Sequence, residues 1–242
     1  MRYAIIYINL TTLLLANQAN PTMSLCIFDL DNTLLNGDSD YLWGEFLVEQ
    51  GIVDADVYER KNQEFYDQYK QGTLDIYEFL EFSLQPLSQH STLQLQEWRE
   101  QFMREKIEPI ILDKGLELIA KHRSEGYTLM IITATNAFVT RPIADALGIE
   151  LLLATEPAMI DNQYNGKVEG IPCFQDGKVI RLEQWLEANQ QNLDDSWFYS
   201  DSHNDVPLLQ QVSNAVAVDP DDALRDYAQT QQWPVISLRD DG

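Results

Sequence analysis

Six short apolar runs separated by stretches of helical character constrain this chain more than any other feature. They are Leu25 to Phe28, Thr128 to Thr133, Leu151 to Ala154, Ser196 to Ser200, Ala215 to Val218 and Val235 to Leu238. Runs of this length suit strands buried on both faces. Strands that alternate with helices give an α/β fold with a mainly parallel sheet. Between the runs, segments such as Leu116 to Glu125 carry Leu116, Ile119 and Ala120 on one helical face.

Two regions break the alternation. From Asn36 to Pro109 the chain reads as consecutive helices, at Tyr41 to Gln50, Ala55 to Gln71, Ile76 to Leu84 and Thr92 to Lys106. Trp43, Phe46 and Leu47 fall at helical spacing, as do Phe65, Tyr66 and Tyr69. A small helical domain, residues 36–109, is therefore expected as an insertion into a sheet domain made of residues 23–35 and 110–242. Between Glu156 and Lys178, turn chemistry at Asn162 to Gly166 and at Gln175 to Gly177 predicts a hairpin or flap.

The 242 residues are enough for a main domain with an insertion. Against 39 Asp and Glu stand 16 Lys and Arg, a formal net charge of -23. That balance argues against nucleic acid or an anionic membrane as partner. The two cysteines, Cys26 and Cys173, match no metal or redox spacing and read as reduced core residues. Residues 1–22 are mildly apolar and resemble a weak signal peptide, but Asn9, Thr11 and Thr12 interrupt the run. Translation starting at Met23 is the reading adopted, with a cytoplasmic location.

In an open parallel sheet, ligands sit beyond the carboxyl ends of the strands. The polar residues at those ends are Asp29 and Asp31, then Thr133 with Asn136, then Asp201, Asn204 and Asp205. Two carboxylates one residue apart, ending a buried strand, repel each other unless a cation or a developing charge needs them. Taken singly, each residue also has a structural reading. Asp31 and Asn32 suit a turn, Thr133, Asp201 or Ser202 a helix cap, and Lys178 a solvated surface charge. His203 reads as an exposed loop residue, and His90 and His122 as surface.

Together the set resembles the haloacid dehalogenase-like phosphatase superfamily. FDLDNTL is similar to its first motif, IITATN to the second, Gly177 and Lys178 before a helix to the third, and YSDSHNDVPLL to the fourth. The resemblance implies a Rossmann-like core with an inserted helical cap, and a Mg²⁺-dependent phosphomonoesterase acting on a small phosphate ester. It implies Asp29 as nucleophile and Asp31 as general acid and base. Asp29, the backbone carbonyl of Asp31, and Asp201 would hold the metal, with Asp205 beside it or ligating directly. Thr133, the backbone amide of Ala134, Lys178 and Asn204 would bind the phosphoryl oxygens.

Within the superfamily the chain resembles the phosphoserine phosphatase-like branch, including phosphatases acting on histidinol phosphate. GDSDYLWGEFLVEQG, FVTRPIADALGI and VEGIPCF carry the second likeness. Asp38 falls where that branch places an acidic residue near a substrate amine, though it equally suits a cap for the following helix. From Ile76 to Leu87 there is no Arg or Lys to meet a substrate carboxylate. That departure favours an aminated ester such as histidinol phosphate over phosphoserine, unless Arg60 reaches the site. Tyr41, Trp43 and Phe65 are candidates to stack on an imidazole. A phospho-accepting signalling domain and a sugar phosphomutase are the rival readings, and the cap argues against both. Oligomeric state is not legible.

Overall fold

A computed structural model describes residues 24–239, so the expectations for residues 1–22 lie outside the described part. The strands are β1 Leu25–Phe28, β2 Thr128–Asn136, β3 Leu151–Ile160, β4 Gln163–Glu169, β5 Trp197–Ser200, β6 Asn214–Val218 and β7 Val235–Ile236. They form one sheet in the order β4-β3-β2-β1-β5-β6-β7. All pairings are parallel except β3 with β4, so the expected Rossmann-like, mainly parallel sheet is what the chain forms. After the β3–β4 hairpin the chain crosses back to the far side of β1, where β5 pairs with it. That reversal opens a crevice above the carboxyl ends of β1, β2 and β5.

Strand periodicity divides the core into two layers. Leu25 and Ile27 point into one cluster with Met130, Ile132 and Phe198, while Cys26 and Phe28 join Ile131 and Tyr199 in the other. Helices α8 Asp176–Asn189, α9 Val206–Leu209 and α10 Asp222–Gln231 cover the first layer through Leu182, Leu186, Leu208 and Leu224. The second is covered by α6 Asp113–Ser124 and α7 Ala137–Ala146, through Ile119, Phe138 and Ile143. The expected arrangement, with helices on both faces, is therefore present.

Residues between β1 and β2 form α1 Ser39–Glu49, α2 Ala55–Lys70, α3 Ile76–Ser83, α4 Gln85–Gln89 and α5 Thr92–Phe102. Trp43, Phe46 and Phe102 continue the second layer of the core, with Trp43 packed edge-on to both Phe102 and Phe138. The last of these helices was expected to run to Lys106. Instead it widens into a π turn at Met103–Ile107, just before Pro109, whose missing N–H cannot extend a helix.

The flap is a β-hairpin of β3 and β4. Asp161 and Asn162 both have positive φ, 50° and 61°, as a two-residue hairpin turn requires. Two expectations are corrected by burial. In α6 the inward face is Gly115, Ile119 and His122, while Leu116 and Ala120 face solvent. His122, three residues past Ile119, is thereby carried inside and is 1% exposed. Its Nε2 lies 2.8 Å from the Tyr199 hydroxyl, and burial lowers its pKa. His90 is half-buried against the ring of Trp98.

Candidate active site

Asp29 follows β1 directly, and its amide still donates to the Tyr199 carbonyl at 2.9 Å, so the sheet ladder fixes its backbone. The chain then turns sharply. Asn32 takes φ 57°, which a short polar side chain tolerates, and its amide donates to the Gly37 carbonyl. This turn brings the start of α1 over the strand ends, where Asp38 caps it by accepting from the amides of Asp40 and Tyr41.

Lys178 sits in the first turn of α8. A Cβ at the preceding Gly177 would lie 2.0 Å from the Pro172 carbonyl oxygen, so only glycine lets the helix start this close. The Lys178 ammonium donates to Asp29 Oδ1 at 2.7 Å and lies within 2.8 Å of both oxygens of Asp205. All three residues are at most 4% exposed. Burial opposes the ammonium's charge, but Asp205 and Asp29 outweigh it and hold the Lys178 pKa above its ordinary value. Asp205 also accepts from the Ser200 hydroxyl at 2.7 Å. Burial, reinforced by Asp205 and Asp31 and opposed by Lys178, pushes Asp29 up to about 7.

Asp31 is held by two donors, the Ser39 amide at 2.6 Å on Oδ1 and the Thr135 hydroxyl at 2.9 Å on Oδ2. Burial first, then the charge of Asp38, raises it to about 6. Thr133 accepts from the Thr135 amide and stands 3.5 Å from Asp31 Oδ2. Thr33, fully buried, links Asp201 to Asp29. Its hydroxyl lies 3.1 Å from Asp201 Oδ1 and 3.5 Å from Asp29 Oδ2, and accepts from the Asp201 amide.

The donor set suits Mg²⁺ chemically. Among the described residues no three His, Cys, Asp or Glu side chains form a closed metal cage. Mg²⁺ does not need one, because it takes one or two carboxylates and keeps water and substrate oxygens. Asp29 and Asp201 approach the same hydroxyl. Burial and then the charges of Asp29 and Asp205 push the Asp201 pKa well up, the signature of a site short of positive charge.

Asp29, Asp31, Thr133, Thr135 and Lys178 line an open cleft. Asp29, Asp31, Thr133, Ala134 and Lys178 form its floor, and Asp38, Asp40, Tyr41, Phe65, Tyr66 and Phe79 stand among its walls. Asp38 caps α1 through Oδ1 alone, which accepts both amides, and the residue also lines the cleft. Asn204 is adjacent, but its amide donates to the Tyr69 carbonyl and the Ser202 hydroxyl, and its Oδ1 accepts from Gln175. It ties the end of α2 to the loop after β5. Trp43 is core, and Arg60 lies in a separate exposed groove. His203 is part-buried, paired with Asp221 at 2.7 Å.

The haloacid dehalogenase-like hydrolase family profile matches residues 26–210. The chain is a haloacid dehalogenase-like hydrolase. A histidinol-phosphatase from Neisseria meningitidis serogroup C (strain 8013) is 40% identical over 220 residues, covering 89% of this chain and 99% of that protein. A crystal structure of a protein of unknown function from Bordetella pertussis Tohama I has a TM-score of 0.85 at 42% identity, over 90% of this chain and 100% of that one. A phosphoserine phosphatase, solved as a phospho-aspartyl intermediate analogue, shares the fold with a TM-score of 0.66 at 18% identity, over 91% of this chain and 95% of that one. This haloacid dehalogenase-like hydrolase is thus an enzyme of the phosphatase class.

Two cleft residues, Thr135 and Asp40, and the buried Thr33 escape a reading of strand ends alone. Thr135 is two residues beyond Thr133 and so shares its face of β2, a signal that period-two spacing carries. Thr33 lies within the first motif but reads as a turn residue. Asp40 looks like an ordinary acidic residue in a helix's first turn.

Proposed function

We propose that the enzyme hydrolyses the phosphate monoester of a small amine that lacks a carboxylate, histidinol phosphate being the best candidate. One observation carries this choice. Among the described residues that line the cleft, Lys178 is the only cation, and it is tied to Asp29 and Asp205. Four aspartates, Asp29, Asp31, Asp38 and Asp40, face the same space. Such a cleft attracts an ammonium, and its own lining offers a substrate carboxylate no free cation. Aromatic walls suit a flat ring beyond the amine.

In the proposed reaction the Asp29 carboxylate attacks phosphorus and Asp31 donates its proton to the leaving alkoxide, giving an aspartyl-phosphate and a free alcohol. Asp31 then takes a proton from water, which attacks the same phosphorus and releases inorganic phosphate. A group whose pKa is raised to about 6 can serve in both directions near neutral pH. Thr133, the amide of Ala134 and Lys178 hold the phosphoryl oxygens. Mg²⁺, when bound by Asp29, the Asp31 carbonyl and Asp201, would supply the positive charge that lets a phosphate dianion approach a carboxylate. Residues 36–109 act as a cap whose closure keeps bulk water from the intermediate. Two free, buried cysteines, Cys26 and Cys173, suit the cytoplasmic placement, and no described helix is long and apolar enough to cross a membrane.

Phosphoserine is the second reading, favoured by Lys70. Its ammonium rests 4.5 Å from the ring centroid of Tyr66, which lines both the cleft and the neighbouring groove where Lys70 stands, so a cation lies beside the cleft. Phosphate release measured across histidinol phosphate, phosphoserine and a sugar monophosphate separates these readings. Highest kcat/KM with histidinol phosphate is expected, and a clear preference for phosphoserine would overturn the choice.

A further inference from the structure

The phosphoryl chemistry uses Asp29 and Asp31 and leaves two more carboxylates on the same cleft, Asp38 and Asp40. Both stand at the start of α1, where free backbone amides are the natural partners of an anion. Those amides are already taken. Ser39 donates to Asp31, Asp40 and Tyr41 donate to Asp38 Oδ1, and Leu42 donates to the Asp38 carbonyl. The Asp40 carboxylate is left with one donor, the side-chain amide of Asn136 at a long 3.3 Å. Asn136 is itself fixed, because its Oδ1 caps α7 through the Val139 amide. A half-buried carboxylate with one weak donor, beside the like charges of Asp38 and Asp31, lacks a positive partner.

Among the described residues that line the cleft none supplies such a partner, since Lys178 is tied to Asp29 and Asp205. What remains is the substrate. Tyr41, next to Asp40 in the chain, packs its ring 5.0 Å from that of Tyr66, and Phe65 packs 5.5 Å from Phe79, giving the cleft flat walls.

We propose that Asp40, aimed by Asn136, is the residue that selects the far end of the substrate: it accepts the ring N–H of a nitrogen heterocycle lying between the aromatic walls, while Asp38 meets the amine. This rests on the functional reading above and deepens it. The substrate class is a phosphate ester with an amine near the phosphate and an imidazole-like ring beyond it.

The test compares kcat/KM for histidinol phosphate and for phenylalaninol phosphate, which keeps the amine and a flat ring but has no ring N–H. In the unmodified enzyme the first should exceed the second by about tenfold or more, as expected when a half-buried carboxylate loses a charge-assisted partner. In Asp40→Asn, which keeps the size of the side chain and an oxygen for Asn136, that ratio should collapse toward one, mainly through KM for histidinol phosphate. A ratio that survives in Asp40→Asn overturns the inference alone. So do equal values for the two esters in the unmodified enzyme, a comparison that stands even if the variant fails to fold. If no aminated ester is hydrolysed while p-nitrophenyl phosphate is, the functional reading falls and this inference falls with it.

Discussion

Asp31 receives two short hydrogen bonds, and the one from Thr135 is removable with little change of shape. A donor to a carboxylate favours its ionised form, so the Thr135 hydroxyl acts to lower an Asp31 pKa that burial and Asp38 have raised to about 6. Thr135→Val removes that donor, and the Asp31 pKa should rise. Because the proposed first step needs Asp31 protonated, the alkaline fall of kcat/KM should move to higher pH in the variant. A pH profile that is unmoved, or moved to lower pH, would count against Asp31 as the acid. The carboxylates Asp29, Asp31 and Asp201 were legible because each ends an apolar run and because motif order ties them together. Thr33, Thr135 and Asp40 were not, since a threonine in a strand or turn and an aspartate in a helix's first turn already have local reasons to be there. Their functional meaning depends on which other element they face, and a linear pattern does not carry that. His122 was misread for a related reason. A polar residue on a helix reads as surface until the opposing Tyr199 hydroxyl is known to partner it.

At the scale of elements, the start of α8 decides where the one cation of the cleft floor stands. Its first turn touches the Pro172 carbonyl so closely that a Cβ on Gly177 would sit 2.0 Å from that oxygen, and a backbone atom cannot rotate aside as a side chain can. Gly177→Ala should therefore displace α8, lower stability by about 2 to 3 kcal/mol and weaken activity by shifting Lys178 from Asp29. Urea unfolding and phosphate release on the same variant check both halves. Unchanged stability with full activity would show that the helix start is freer than its geometry implies. The strands were largely legible, because short β-prone runs bounded by turns leave few alternatives. Helix faces and ends were less so. The π turn at Met103–Ile107 and the inward face of α6 are set by what packs against them, and the apolar residues Leu116 and Ala120 lie outside that contact.

For the whole molecule, the cleft concentrates negative charge that a metal ion can offset. Without metal, burial raises the Asp29 pKa to about 7 and the Asp31 pKa to about 6, against an unfolded value near 3.9. A folded-state pKa raised above the unfolded one contributes stability below the unfolded pKa and loses it as pH rises through the folded value. The metal-free protein should accordingly become less stable between pH 6.5 and pH 8 from these groups. A Mg²⁺ ion held by the Asp29 carboxylate must displace the proton there, so its stabilising effect should be larger at pH 8 than at pH 6.5. Thermal unfolding with EDTA or excess Mg²⁺ at both pH values measures the two slopes, and an equal Mg²⁺ effect at both would argue against ligation by Asp29. The assignment of Asp29 as nucleophile can be tested more directly. In Mg²⁺, with histidinol phosphate as substrate, Asp29→Asn should lower steady-state phosphate release by at least about a thousandfold while the protein stays folded. Full release by the folded variant would contradict attack by Asp29 on phosphorus.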